Sequence, residues 1–171
     1  MAKHFNISGE LTQELLAAGD NVNVSKISLT NTQKVSKCKV DLYIEKKLTG
    51  KFYLLKGVEL PIGATLIYED MKFVNTTGEF GLYIKLTDGA TFTLTGAIDP
   101  TGTNTAVPGS GTAFLSELSI GDEIVVTGET RIIDAITSDT AATVSVAWGS
   151  DLANDTSPDC NPTALVDVII N

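Results

Sequence analysis

The chain has 171 residues, with 21 acidic against 12 basic side chains and a formal net charge of -9. A hydrophobic fraction of 43% and a mean hydropathy of +0.15 indicate a folded protein with a buried core and argue against intrinsic disorder. No apolar run approaches the roughly 18 residues of a membrane-spanning helix, the N-terminus lacks the apolar segment of a signal peptide, and the excess negative charge disfavours direct binding to nucleic acid.

The charged side chains are unevenly distributed along the chain. Residues 1–87 hold all eleven lysines and nine acidic residues, for a formal charge of +2, whereas residues 88–171 hold Arg131 and twelve acidic residues, for -11. The shift coincides with the turn signal Thr87-Asp88-Gly89. The sequence therefore predicts two domains, 1–87 and 88–171. Because each is near the lower size limit of a self-sufficient core, we expect mutual packing or oligomerisation to stabilise both, and we predict an oligomer.

The first half is predicted to form an antiparallel β-sandwich. Leucines within 9–18 hint at one helical turn or an N-terminal arm. The apolar positions then change parity within 22–29, which indicates a bulge or a change of sheet. Strict alternation in 37–45 and in 80–86 predicts strands with one buried and one exposed face, and Tyr43 falls on the exposed face.

The second half is predicted to form a small, strongly curved β-barrel-like domain that is acidic and rich in threonine and glycine. Its many β-branched hydroxyl residues suit exposed strand faces. One apolar turn is predicted at 114–118, and strands follow it. The residues expected to fill the core of this domain are Phe114, Leu118, Ile124, Val126, Ile133, Val144, Val146 and Trp148.

Few residues of the chain belong to the types that commonly perform catalysis or bind metals. His4 is the one histidine, and Cys38 and Cys160 are the two cysteines, so zinc chemistry and histidine-based catalysis have little to work with. Glu123 and Glu129 could in principle form a glycosidase pair, but acids beside a glycine turn more often serve solubility. We predict no cofactor, no metal and no enzymatic activity.

An acidic loop offers the one candidate metal site that we weighed. Asp151, Asp155 and Asp159, together with Asn154, could hold Ca²⁺ through oxygen ligands. Their spacing matches no EF-hand. We therefore favour the alternative that they are solvated loop acids.

Several segments resemble virion proteins of tailed bacteriophages. In the first half, the resemblance is to small β-sandwich proteins encoded among virion genes, and it is carried by KISLTNT at 26–32, VDLYI at 40–44 and YLLKGVELPIGATL at 53–66. The second half is similar to a β-barrel module that recurs in phage structural and appendage proteins, and the likeness is carried by 109–126, 136–140 and Trp148. The resemblance implies a virion component, assembled in the host cytoplasm, without enzymatic activity.

Two positions in the particle agree with this resemblance. A capsid decoration, or cement, protein would bridge subunits of the major capsid protein, often as a trimer, whereas a neck, tail or baseplate protein would form a ring or attach a fibre. We favour decoration, because the chain has no heptads and no fibrous repeats.

The candidate docking residues are Lys37, Lys39, Lys46 and Lys47, which could reach an acidic shell. A solvated basic face is the alternative interpretation of these four lysines.

A non-viral alternative is a carbohydrate-binding β-sandwich module. Its stacking platforms would be drawn from Tyr43, Tyr53, Tyr68, Tyr83 and Trp148.

Overall fold

The computed structural model describes residues 2–46, 49–76 and 78–171. It consists almost entirely of antiparallel strands, which confirms the predicted all-β class. The chain divides into two compact units. Unit 1 comprises Met1–Gln33, Lys37–Asp88 and Ala164–Asn171, and unit 2 comprises Lys34–Ser36 and Gly89–Thr163.

Within the described residues, unit 1 holds ten strands. They are β1 (Lys3–Ser8), β2 (Thr12–Leu16), β3 (Asn23–Val24), β4 (Ile27–Asn31), β5 (Cys38–Lys46), β6 (Gly50–Leu60), β7 (Thr65–Tyr68), β8 (Phe73–Val74), β9 (Phe80–Thr87) and, after the residues of unit 2, the strand Leu165–Ile170. That last strand is β17 in chain order. Two four-stranded sheets have the orders β1-β17-β4-β7 and β2-β9-β5-β6, and β3 pairs with β8.

The two four-stranded sheets of unit 1 enclose one apolar core, as a sandwich requires. Alternation places Val40 and Leu42 of β5 and Ile84 of β9 on the inner face of one sheet, and all three are fully buried. Leu29 of β4 and Val168 of β17 belong to the same core from the opposite sheet. The predicted strands at 37–45 and 80–86 are therefore confirmed.

Two local predictions for unit 1 have different outcomes. The helical turn within 9–18 is wrong, because this segment forms β2. A register shift between Glu14 and Leu16 buries two consecutive leucines, Leu15 and Leu16, and this bulge imitates a helical spacing. The parity change within 22–29 is a change of sheet, since β3 pairs with β8 whereas β4 pairs with β17 and β7.

Unit 2 contains the remaining strands and one short helix. They are β10 (Phe92–Thr93), β11 (Ala97–Ile98), β12 (Ala106–Ser110), α1 (Phe114–Glu117), β13 (Glu123–Val126), β14 (Glu129–Ser138), β15 (Ala141–Val144) and β16 (Asp159–Asn161). The strands form one sheet in the order β10-β16-β13-β14-β15-β12-β11. Within the described residues this sheet does not close into a barrel. A single bridge between Ile98 and Asp155, with two hydrogen bonds of 2.8 Å, joins β11 to the loop before β16.

The core of unit 2 contains seven of the eight residues predicted for it, Trp148 among them. Val146 is the exception, with 63% of its surface exposed. β15 ends at Val144, so the alternation that placed Val146 inside no longer applies two residues later. Trp148 is buried instead, and its indole N–H donates to the carbonyl of Ala106 at 3.0 Å.

The unit boundaries differ from the predicted division in the C-terminal segment. β17 lies between β1 and β4, so residues 164–171 belong to unit 1 and not to the acidic second half. By these boundaries unit 1 has ten lysines against eleven acidic residues, a charge of -1, and unit 2 has Lys34 and Arg131 against ten acidic residues, a charge of -8.

The two ends of the long unit 2 segment meet at one hydrogen bond within unit 1. The Asp88 carboxylate accepts from the backbone N–H of Ala164 at 2.7 Å. Residues 89–163 are therefore an insertion between β9 and β17, and the chain leaves and re-enters the sandwich at neighbouring points.

We predict that unit 1 folds without the insertion. Replacing residues 89–163 by a flexible linker of about four residues should keep the far-UV circular dichroism of a β protein and a cooperative unfolding transition, because so short a linker can join neighbouring points. The matched control also lacks residues 164–171 and with them β17, and it should not fold. A collapsed or aggregated first variant would contradict the prediction.

Candidate functional site

The outer face of the sheet β2-β9-β5-β6 carries a row of tyrosines. Tyr53, Tyr43 and Tyr83 are direct cross-strand partners, and Glu14 of β2 continues the row beyond Tyr83. The ring centroids of Tyr43 and Tyr53 are 5.5 Å apart, and those of Tyr43 and Tyr83 are 5.7 Å apart with planes inclined by 16°. Aromatic cross-strand pairs of this kind stabilise a sheet. We call these three residues the tyrosine row.

The ring of Tyr83 is fixed by its neighbours on several sides. Its hydroxyl donates to Glu14 Oε1 at 2.7 Å, and this hydrogen bond, followed by burial, raises the pKa of Tyr83 to about 12. The ring also lies against Gly81, where an added Cβ would come within 2.8 Å of Tyr83 Cε2 and 3.0 Å of its hydroxyl oxygen. Glycine at position 81 is therefore what lets the ring lie along its own strand.

A cleft of about 400 Å³ opens beside this ring. Its apolar lining includes the buried Tyr43 and the half-buried Tyr83, and Gly81 contributes backbone. The charged side chains that line it are those of Glu45, Lys51 and Glu79. The cleft thus combines a flat aromatic ring with hydrogen-bonding groups of both charges.

Lysines cover the two other rings of the tyrosine row. Lys51 Nζ lies 4.6 Å from the ring centroid of Tyr43 and donates to its hydroxyl at 3.3 Å, and this hydrogen bond raises the pKa of Lys51. Lys56 Nζ lies 3.9 Å from the ring centroid of Tyr53. Among the described residues no cation occupies the corresponding position over Tyr83.

This geometry leaves fewer aromatic residues available as stacking platforms than the sequence predicted. Tyr43 and Trp148 are each 1% exposed and offer no surface. Tyr68 is half-buried against the core of unit 1. Tyr53 is 43% exposed, but Lys56 lies over its ring. Tyr43 was predicted on the exposed face, and it does point away from the core, but its cross-strand neighbours bury it. Tyr83 is the aromatic residue that the structure leaves beside an open cleft.

The predicted docking lysines do not form one cluster. Lys37 and Lys39 lie at one end of β5, where Lys37 Nζ is 2.8 Å from Glu59 Oε2. Lys37, and secondarily Lys39, lower the pKa of Glu59. Lys46 lies at the other end of β5, about 23 Å from Lys39 at roughly 3.3 Å per residue. There its Nζ is 3.1 Å from Glu79. Lys47 lies outside the described residues.

The two carboxylates that were weighed as a glycosidase pair point to opposite faces of the unit 2 sheet. Glu129 is paired with the buried Val126, and directly paired residues share a face, whereas Glu123 lies three positions from Val126 on the same strand. Glu123 accepts from the Asn161 amide at 2.8 Å, and Glu129 is hydrogen-bonded to Arg131. These two acids therefore do not converge on one substrate position.

Two acids of the candidate calcium loop accept hydrogen bonds from backbone N–H groups and from a hydroxyl. Asp155 accepts from the N–H groups of Thr127 at 2.7 Å and Ser157 at 2.9 Å, and Asp159 accepts from the hydroxyl of Thr93 at 2.9 Å. Over residues 2–46, 49–76 and 78–171, no group of three histidine, cysteine or acidic side chains is placed to hold a metal ion.

Sequence reasoning missed five residues of the tyrosine row and its cleft: Glu14, Glu45, Lys51, Glu79 and Gly81. A usable signal was available only for Gly81, because a glycine within an alternating strand often marks the close approach of another group. Glu14 and Glu79 come from segments distant in sequence, and only the strand register brings them to this face.

Comparison with known proteins gives no relative for this chain. No family model matches it, and neither a curated protein nor a solved structure is similar to it. In the described part of the chain, no helix has the length and apolar character needed to cross a membrane.

We predict that neither thiol reacts in the folded protein. Cys38 and Cys160 are free and buried. Burial, followed by the charge of Asp88, raises the pKa of the Cys38 thiol to about 11, and burial followed by Asp122 raises the pKa of Cys160. A thiol-specific reagent at pH 8 should label neither residue in the native protein and both in denaturant.

The same shifts predict a loss of stability in alkali. The unfolded protein releases the Cys38 proton near the ordinary pKa of 9.0, whereas the folded protein retains it up to about 11. The free energy of unfolding should therefore fall as the pH rises through this window. A Cys38→Ala variant is the control, because its loss of stability over this window should be smaller. Rapid labelling of native Cys38 at pH 8 would contradict its assigned burial.

Proposed function

We propose that this protein is a non-enzymatic structural component of a tailed-phage particle, namely a capsid decoration protein that binds and stabilises coat subunits. The observation that carries the proposal is the insertion of an acidic unit, of charge -8, into a sandwich of charge -1. The resemblance of both halves to virion proteins supports the same assignment.

The difference in charge suggests a division of roles between the units. A nearly neutral unit 1 approaches a protein shell without long-range repulsion, so it is the better docking module. Unit 2 repels other anionic surfaces, and copies of it displayed on a particle would keep particles dispersed. The proposed partner is the major capsid protein, and the proposed assembly is a homo-oligomer, with a trimer favoured because decoration proteins occupy symmetry axes.

The proposed docking residues are four lysines of unit 1: Lys37, Lys39, Lys46 and Lys47. The three that the structure describes lie at two separate points. Lys37 and Lys39 form one point beside Glu59, and Lys46 forms the other beside Glu79. Each lysine paired with a glutamate can exchange that partner for an acidic group on the shell, at little net cost for exposed ion pairs.

We predict that quantitative mass spectrometry of purified particles will find this chain at a copy number comparable to that of the coat protein. A copy number equal to a few rings of subunits would overturn the decoration role and favour a neck, tail or baseplate position. Absence of the chain from particles would overturn the whole proposal.

We also predict that charge reversal weakens attachment to particles that lack the protein. The Lys37→Glu/Lys39→Glu and Lys46→Glu/Lys47→Glu variants should each bind at least about tenfold more weakly at low salt, where electrostatic attraction is least screened. A Lys26→Glu/Lys72→Glu variant, which changes two other lysines of unit 1, should bind as the natural chain does. Unchanged binding by both test variants would remove these lysines from the docking surface.

A further inference from the structure

We propose that the cleft beside Tyr83 binds a neutral pyranose sugar. The proposed site lies on unit 1, and the decoration role does not require it. The two proposals are therefore tested by separate experiments.

The first argument is the shape and orientation of the Tyr83 ring. A pyranose packs one C–H face against an aromatic ring, which must be flat and accessible on one side. Tyr83 offers such a ring: it is half-buried, it contacts Gly81 and stacks beside Tyr43 within the sheet, and it lines the cleft.

The second argument is the rigidity of the platform. The Tyr83 hydroxyl is held by Glu14 at 2.7 Å, and the ring stacks beside Tyr43. A ring that is already fixed loses little conformational entropy when a ligand binds, so more of the contact energy appears as affinity.

The third argument is the polar rim. Glu45 and Lys51 are direct cross-strand partners at the cleft, and the Glu79 side chain is 51% exposed there. Carboxylate oxygens accept from sugar hydroxyls, and the lysine ammonium donates to them. The volume of about 400 Å³ lies within the usual range for small-ligand sites.

The charges around the cleft select among sugars. Glu45 and Glu79 line it, and Glu14 accepts from the Tyr83 hydroxyl. Against these three acids stand two lysines, Lys51 in the lining and Lys46, which pairs with Glu79 at 3.1 Å. Acidic sugars would meet like charges at this rim. The proposed ligands are therefore neutral hexoses and N-acetylhexosamines.

The test is a titration of the full-length protein with cellobiose and with N,N′-diacetylchitobiose. Binding is detected by ligand-observed NMR, and glucuronate is the acidic comparison. We expect a dissociation constant on the order of 1 mM for at least one neutral disaccharide, and weaker binding of glucuronate. Saturation transferred from the protein should be strongest at the sugar protons of the C–H face that contacts the ring.

Matched variants assign the binding to this cleft. Tyr83→Leu should weaken binding by about tenfold, a change of about 1.4 kcal/mol, whereas Tyr83→Phe keeps the ring and should bind nearly as the natural chain does. Glu79→Gln should weaken binding a few-fold. Its control is Glu59→Gln, since Glu59 has a similar exposure of 48%, is also paired with a lysine, and lies outside the cleft lining.

Two outcomes would overturn the proposal. One is that neither disaccharide binds the natural chain at concentrations well above 1 mM. The other is that Tyr83→Leu and Glu79→Gln, both folded by circular dichroism, bind as strongly as the natural chain. If Tyr83→Leu does not fold, the comparison of Glu79→Gln with Glu59→Gln decides the question. Copy number in particles is measured independently, so failure here leaves the decoration proposal to its own test.

Discussion

The pairing of β17 with β1 on one side and with β4 on the other is the interaction on which unit 1 depends. It joins the first and last segments of the described chain, with Ile7 opposite Val166 and Val168 opposite Leu29. β17 also contributes Val166, Val168 and Ile170 to the core. Without this strand, β1 would have no partner in its sheet. The position of β17 also requires that the ends of the insertion meet, which the Asp88 contact with Ala164 achieves.

The sequence predicts those parts of the fold that depend on residues close together along the chain. β5 and β9 follow directly from alternation, because one face of each strand is buried and the other is not. The helical spacing of the leucines in β2 is misleading, because a bulge changes the period locally. Alternation in β17 identifies a strand but not its sheet, since the choice of partner depends on residues more than 130 positions away.

The candidate site was predictable only in part for the same reason. Alternation correctly turns Tyr43 away from the core, but its burial depends on the register of three strands that align Tyr53 and Tyr83 with it. The individual lysines could be named from the sequence, whereas their separation along β5 and their glutamate partners could not. Side-chain pairing across a sheet is a property of register, and register is set by the whole sandwich.

The insertion also affects how the protein is made. Unit 2 is translated before β17, so the nascent sandwich waits with β1 and one side of β4 unpaired while 75 residues leave the ribosome. Unpaired strand edges are sites of aggregation. During that interval the nascent chain carries an insert with ten acidic residues against Arg131, a charge of -9, which repels other nascent chains. The acidic insert would thus serve as an internal solubility tag for a sandwich that still lacks its central strand.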